Sequence, residues 1–152
     1  MKVLKFVNLS SNPDPCFAKY GDSGFDIRAW VVNETNSITL KPLERKLVNT
    51  GLYFDIPENT EIQIRPRSGL SVKKGLSIVN SPATIDEGYT GEIGVVAINL
   101  SKEDILIKNG DKIAQGVLCP VFNSPLVNME SVSSIDKITE RGDGGYGHTG
   151  IN

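Results

Sequence analysis

Short runs of Val, Ile, Leu, Phe and Tyr recur along the whole chain between turn-forming residues, and almost nowhere do apolar residues fall at helical spacing. That pattern commits the chain to strands, so the expected class is all-β, with fifteen glycines and eight prolines as the breaks between elements. It predicts strands over 3–8, 24–32, 37–40, 46–54, 61–65, 75–79, 91–99, 105–107 and 112–122, with a further one over 132–138. One segment departs from the pattern. Ser68-Gly69-Leu70-Ser71-Val72-Lys73-Lys74-Gly75 opens on a hydroxyl suited to an N-cap and closes on a glycine able to take the left-handed cap conformation, which predicts a single short helix.

The chain has 152 residues and no break in composition before residue 140, so the expected layout is one domain over 1–140 and a tail over 141–152. A chain of this size buries a core without disulfides or structural metal. The net charge of −2 argues against a sequence-independent nucleic-acid binder, which needs a surplus of Lys and Arg on one face, but leaves a single nucleotide open. No run approaches the ~20 apolar residues of a membrane helix. The first residues alternate as a strand, with Lys2 and Lys5 inside the pattern, and do not resemble a secretory leader. Cys16 and Cys119 lack metal-ligand spacing and are expected as reduced thiols in a cytoplasmic setting.

Several segments carry groups suited to chemistry. Arg67-Ser68-Gly69 follows an expected strand and sets a guanidinium, a hydroxyl and orphan backbone N–H groups where an anion would sit; an N-cap beside a surface arginine explains the same tripeptide. Asp86, beside apolar Ile85 in the turn-rich stretch from Asn80 to Gly91, suits a general base near a bound water, or a turn aspartate capping its own backbone. Gln115 sits among apolar neighbours and wants a polar partner. Asp26 interrupts a strand, either as a structural hydrogen-bond acceptor or beside a water-bound cation. His148, the single histidine, has no partner spacing for a triad or a zinc site. The glycine-rich end, Arg141 to Gly150, is too poor in apolar groups to pack alone; it is either a loose tail or a segment that closes over a phosphate ligand.

Taken in order, five pieces carry a specific resemblance: Gly21-Asp22-Ser23-Gly24-Phe25-Asp26-Ile27-Arg28-Ala29, Pro66-Arg67-Ser68-Gly69-Leu70, Thr84-Ile85-Asp86-Glu87-Gly88-Tyr89-Thr90-Gly91-Glu92-Ile93, Gly110-Asp111-Lys112-Ile113-Ala114-Gln115, and the glycine-rich tail. In that order and at that spacing the chain resembles the homotrimeric dUTP diphosphatases, the dUTPases, along nearly its whole length. The resemblance implies a jelly-roll-like β domain with one short helix and a flexible tail. It also implies a homotrimer whose active sites are each shared between subunits, and hydrolysis of dUTP to dUMP and pyrophosphate, which keeps uracil out of DNA and supplies dUMP for thymidylate synthesis.

By the same resemblance Asp86 activates the water that attacks the α-phosphorus, and Arg67, Ser68, Gly69 and Gln115 hold the phosphates. Mg²⁺ rides on the triphosphate, with Asp26 touching its water shell. Asn80, Thr84 and Ile85 form the uracil slot, and Tyr89 packs under deoxyribose and leaves no room for a 2′-hydroxyl. In the tail Arg141 reaches the triphosphate, Tyr146 stacks on the base where many members have Phe, and Gly147 and Thr149 complete the closing segment, with His148 where others often have Ser. Asp86-Glu87-Gly88-Tyr89 stands where members commonly have Asp-x-Asp-Tyr, with Gly88 in place of the second acid.

Two rival readings share features with this one. A dCTP deaminase, or a bifunctional deaminase and diphosphatase, of the same fold carries a glutamate about ten residues beyond the equivalent of Asp86, and here the stretch 94–98 has no acid. A regulatory protein partner is the other, since some virus-encoded members double as regulators; a partner using the active site would be displaced by nucleotide.

Overall fold

A computed structural model describes residues 2–145. The chain divides into two compact units, Met1–Phe122 and Asn123–Asn152. The first contains eleven strands and one helix: β1 (Lys5–Asn8), β2 (Gly24–Arg28), β3 (Ser37–Leu40), β4 (Arg45–Asn49), β5 (Leu52–Asp55), β6 (Thr60–Arg65), α1 (Ser68–Lys74), β7 (Leu76–Ile78), β8 (Ala83–Ile85), β9 (Gly94–Asn99), β10 (Ile105–Lys108) and β11 (Lys112–Pro120).

All pairings are antiparallel, in four small sheets ordered β2-β11-β6-β8, β4-β9-β7, β1-β5 and β10-β3. The expected all-β, jelly-roll-like architecture with one short helix is what forms. Period-two alternation decides which side chains enter the core. Along β6, Thr60, Ile62 and Ile64 point in while Glu61, Gln63 and Arg65 point out; along β9, Val95, Ala97 and Asn99 point in. Ile27, Leu40, Ile62 and Ile64 are fully enclosed, and truncating any one to Ala removes about 2–5 kcal/mol of stability. No helix among the described residues is long and apolar enough to cross a membrane.

Three expectations need correction. The run 46–54 is two strands, because Gly51 takes a left-handed φ of +69° and the chain turns there from the β4 sheet into the β5 pair. Glu92 Oε1 accepts the backbone N–H groups of Thr50 (3.1 Å) and Gly51 (2.8 Å) at this corner, so donors lost to the ladders still find a partner. Residues 83–85, expected within a turn-rich loop, form β8, since Ala83 and Ile85 reach the core side opposite Ile64 and Ile62. The strand expected over 132–138 does not form; among the described residues it has no strand to pair with, and its side chains are exposed. Elsewhere strand ends move inward: β2 stops at Arg28 and β9 starts at Gly94.

The helix forms where expected, with one difference. Arg67 is the N-cap residue, extended at φ −89° and ψ 123° and without a side-chain cap bond, so Ser68 is the first helical residue and its hydroxyl is not spent on capping. Gly75 ends the helix at φ +68°, its N–H donating to the Ser71 carbonyl. A Cβ at Gly75 would also lie 2.9 Å from the Ser101 nitrogen, so glycine is required there twice over.

Candidate functional site

The face of the β2-β11-β6 sheet that ends at α1 holds a cavity of about 610 Å³. Asp26, Arg67, Ser68, Gly69 and Gln115 all line it, so five of the residues singled out in the sequence meet at one place although they come from three separate stretches of chain. Register explains the meeting. Gln115 on the central strand β11 lies directly opposite Asp26 on β2 and Arg65 on β6, and cross-strand partners share a face. Arg67 follows two residues after Arg65, at the turn into α1.

The polar groups hold one another. Arg67 Nε pairs with Asp26 Oδ1 at 2.9 Å, Lys112 Nζ with Asp26 Oδ2 at 2.6 Å, and Arg67 Nη1 donates to the Lys112 carbonyl oxygen at 3.2 Å. These side chains are 24–38% exposed, where an ion pair contributes about 1 kcal/mol or less, so the contacts fix geometry more than they stabilise the fold. Gln115 Nε2 donates to the Pro66 carbonyl oxygen at 2.9 Å, which meets the expected need for a polar partner. Its Oε1 lies close over Gly24, where a Cβ would come within 2.9 Å. Around Gly69, by contrast, a Cβ would meet no atom within 4 Å. The chain itself has no steric need for glycine there, and Gly69 is among the residues that line the cavity. The helix start also leaves the Ser68 and Gly69 amides without intrahelical acceptors. Lys73 and Lys74 bring further positive charge to the wall. The arrangement suits a polyanion: cations, a free hydroxyl and unspent N–H groups around an open volume.

The second group of predicted residues lies elsewhere. Asn80 is in the exposed turn after β7, Thr84 and Ile85 are on β8, and Asp86 and Tyr89 are in the loop that follows; none of them lines the cavity. Ile85 pairs with Ile62, so the chain runs on to Asp86 at the level of Glu61, whereas Arg67 lies beyond the opposite end of β6. At ~3.3 Å per strand residue the two are about 20 Å apart. The Asp86 carboxylate is exposed and has no hydrogen-bond or ion-pair partner among the described residues. The loop is nonetheless fastened: the Tyr89 N–H donates to the Asp86 carbonyl (3.0 Å), the Tyr89 hydroxyl to the Glu92 carbonyl (2.9 Å), and the Asn59 N–H to Glu87 Oε2 (2.8 Å). Gly91 makes room for the ring, since a Cβ there would lie 2.5 Å from the Tyr89 hydroxyl.

Arg141 sits in a turn of the C-terminal unit, its Nε donating to the Gly144 carbonyl at 3.1 Å. Tyr146, Gly147, His148 and Thr149 lie outside the described residues. Among the described residues no three His, Cys, Asp or Glu side chains gather into a metal cage. Asp26 is a lone carboxylate whose two oxygens each pair with a cation, so it is no direct metal ligand set; its remaining lone pairs are compatible with accepting from a water of an ion carried by phosphate oxygens. Sequence reasoning missed two residues. Lys112 reaches the site only through an irregularity in β11, and Glu92 acts through backbone atoms, for which no residue pattern signals.

Residues 11–150 match the sequence model of the dUTPase family. The deoxyuridine 5′-triphosphate nucleotidohydrolase of Finegoldia magna is 49% identical over 150 residues, covering 99% of each chain. The nucleotidohydrolase of the same name from Caulobacter vibrioides is 45% identical over 152 residues, 98% of this chain and 95% of its own. Among solved structures, the dUTPase of Staphylococcus bacteriophage 80alpha with dUpNHpp has a TM-score of 0.82 at 26% identity, covering 99% of this chain and 100% of that one. Full-length relatives at this identity, the ordered motifs and the cavity they line lead to one conclusion: the chain belongs to the dUTPase family.

Proposed function

We propose that the chain carries out its family's reaction, hydrolysis of dUTP to dUMP and pyrophosphate, at sites that no single copy completes. The observation that carries this reading is the register: Asp86 follows β8 at the Glu61 end of β6 and Arg67 lies beyond the opposite end, a backbone separation of roughly 20 Å at the usual rise per strand residue. A base and a phosphate grip that far apart cannot serve one α-phosphorus, so Asp86 of one copy would face the Arg67 cavity of another. The chain also exposes apolar surface suited to association. On the outer face of the β4-β9-β7 sheet, Leu47 is 64% exposed opposite Val96, with Ile98 beside it. In the C-terminal unit Met129, Ile135 and Ile138 are 94%, 82% and 98% exposed. Closed symmetry satisfies such surfaces without open ends, and the family supplies three as the number of copies.

In this arrangement Arg67, the Ser68 hydroxyl and the Ser68 and Gly69 amides hold the phosphates, with Gln115 beside them. Asp86 takes the proton of the water that attacks the α-phosphorus; the bond to the bridging oxygen breaks and pyrophosphate leaves. Catalysis is then positioning plus stabilisation of charge by fixed dipoles and cations, with no covalent intermediate. Mg²⁺, when bound on the triphosphate with Asp26 at its water shell, neutralises charge on the leaving pyrophosphate. Asn80, Thr84 and Ile85 form the uracil slot and Tyr89, fixed by its bond to Glu92, fills the space a 2′-hydroxyl would need. The tail over 141–152 closes the site, Arg141 reaching the phosphates and Tyr146, Gly147 and Thr149 covering the nucleotide. The two thiols, Cys16 exposed and Cys119 half-buried, are both free, which supports a cytoplasmic setting.

Pyrophosphate release measured with dUTP, dCTP, dTTP and UTP in Mg²⁺ tests the reading. Release from dUTP alone, lost on truncation before Arg141, is the expected result; release from dCTP or UTP at a comparable rate would contradict the uracil and sugar assignments.

A further inference from the structure

Lys112 owes its place at the site to a β-bulge. In the pairing of β11 with β2, Lys112 stands opposite Arg28 and Ala114 opposite Ile27, so Ile113 is an extra residue with no partner of its own. In an unbroken strand Lys112, three residues before Gln115, would point to the face opposite Gln115. The inserted residue reverses that parity and brings Lys112 onto the face shared by Gln115, Asp26 and Arg28. Ile113 and Ala114 are consecutively buried, as the bulge requires.

We propose that Lys112 is a positioning residue for the triphosphate: by occupying one oxygen of Asp26 it stops Asp26 and Arg67 from closing into a two-bond pair and so keeps Arg67 Nη2 available to a phosphate. The proposal rests on the phosphate-site reading above. An arginine and a carboxylate left to themselves favour two parallel bonds, with Nε and Nη2 on one edge of the guanidinium facing the two oxygens. Here Nε takes Oδ1, but Oδ2 is held at 2.6 Å by Lys112 Nζ. The other edge is fixed as well, by the bond from Nη1 to the Lys112 carbonyl. Nη2 is therefore the guanidinium nitrogen without a partner among the described residues, on an arginine that lines the cavity. One residue thus locks Arg67 from both sides, with its ammonium through Asp26 and with its backbone directly.

The test is a double-mutant cycle read by titration of the full-length protein with the non-hydrolysable analogue dUpNHpp. Lys112→Met should weaken binding about 10-fold, whereas Lys112→Arg, which keeps a cation on Oδ2, should stay within about 3-fold of wild type. An Asn at position 26 offers one acceptor oxygen and cannot close the two-bond pair, so in the Asp26→Asn background Lys112→Met should cost less than about 2-fold. Equal losses in both backgrounds would overturn the proposal, because Lys112 would then act on the nucleotide itself or on the fold. Binding that Arg67→Ala weakens and Lys112→Met leaves unchanged would overturn the role of Lys112 alone. If wild type failed to bind dUpNHpp, the phosphate-site reading would fall and this proposal with it.

Discussion

The two halves of the proposed site are built in opposite ways. Around the cavity Arg67, Asp26, Lys112 and Gln115 are tied to one another and to backbone carbonyls before any ligand arrives. In the loop after β8 the backbone and the tyrosine are fastened, but the Asp86 carboxylate stands exposed, without a partner among the described residues. On the proposed roles, the difference follows from what each half does. A phosphate grip gains from donors fixed in advance, since reorganising them during the reaction costs part of their effect. A base works on a water that arrives with the substrate, and an aspartate already paired with a cation would be a weaker one.

That contrast predicts different outcomes for comparable substitutions. Asp86→Asn should lower kcat by about 10³-fold, within the usual range for removing a general base, and leave Tm unchanged because no contact is lost. A fall in Tm as large as that of a core variant would show that Asp86 is part of the rigid half. Gly69→Ala comes next. Open space around Gly69 means that the fold accepts a methyl group and gains up to about 1 kcal/mol from helix propensity. A phosphate on the first turn does not accept it, so kcat/KM should fall by about 10²-fold. Full activity in this variant would remove the first turn of α1 from the phosphate site.

Smaller effects probe how the soft half is fastened. Tyr89→Gly should admit UTP, reducing the preference for dUTP by about 10–100-fold, the scale for a pocket that excludes one group by shape. Glu92 bonds the Thr50 and Gly51 amides with its side chain and the Tyr89 hydroxyl with its carbonyl. Glu92→Gln retains an acceptor and should cost under about 1 kcal/mol by chemical denaturation, while Glu92→Ala strands two donors and should cost about 1–3 kcal/mol. Equal losses in the two variants would show that packing, and not the hydrogen bonds, holds the Thr50–Gly51 corner.

How far the sequence could carry this account depends on whether a signal is local. The helix at Ser68–Lys74 and its end at Gly75 are written in adjacent residues, and both form. Asp26, Arg67, Ser68, Gly69 and Gln115 could be grouped because each lies in a recognisable motif, and they do converge. The break at Thr50-Gly51 could not be read in advance, because its need arises from Ser10 and Trp30 crowding Gly51 and from Glu92, far along the chain. Lys112 was hidden for a related reason: strict alternation puts it on the wrong face, and only pairing with β2 reveals the bulge at Ile113. The run over 132–138 has strand composition, yet a strand needs a neighbour and the described chain offers none.

Division of the site between copies is the central claim, and complementation tests it directly. Arg67→Ala and Asp86→Asn chains would be co-expressed, each carrying a different tag, and the mixed assemblies assayed for pyrophosphate release. Neither variant alone should turn over dUTP appreciably. In a trimer whose sites pair Arg67 of one copy with Asp86 of the next, one site in three is intact in every mixed assembly, so the mixed assemblies should recover about a third of wild-type activity. No recovery in assemblies shown by their tags to be mixed would contradict the account, because both residues would then act from the same copy.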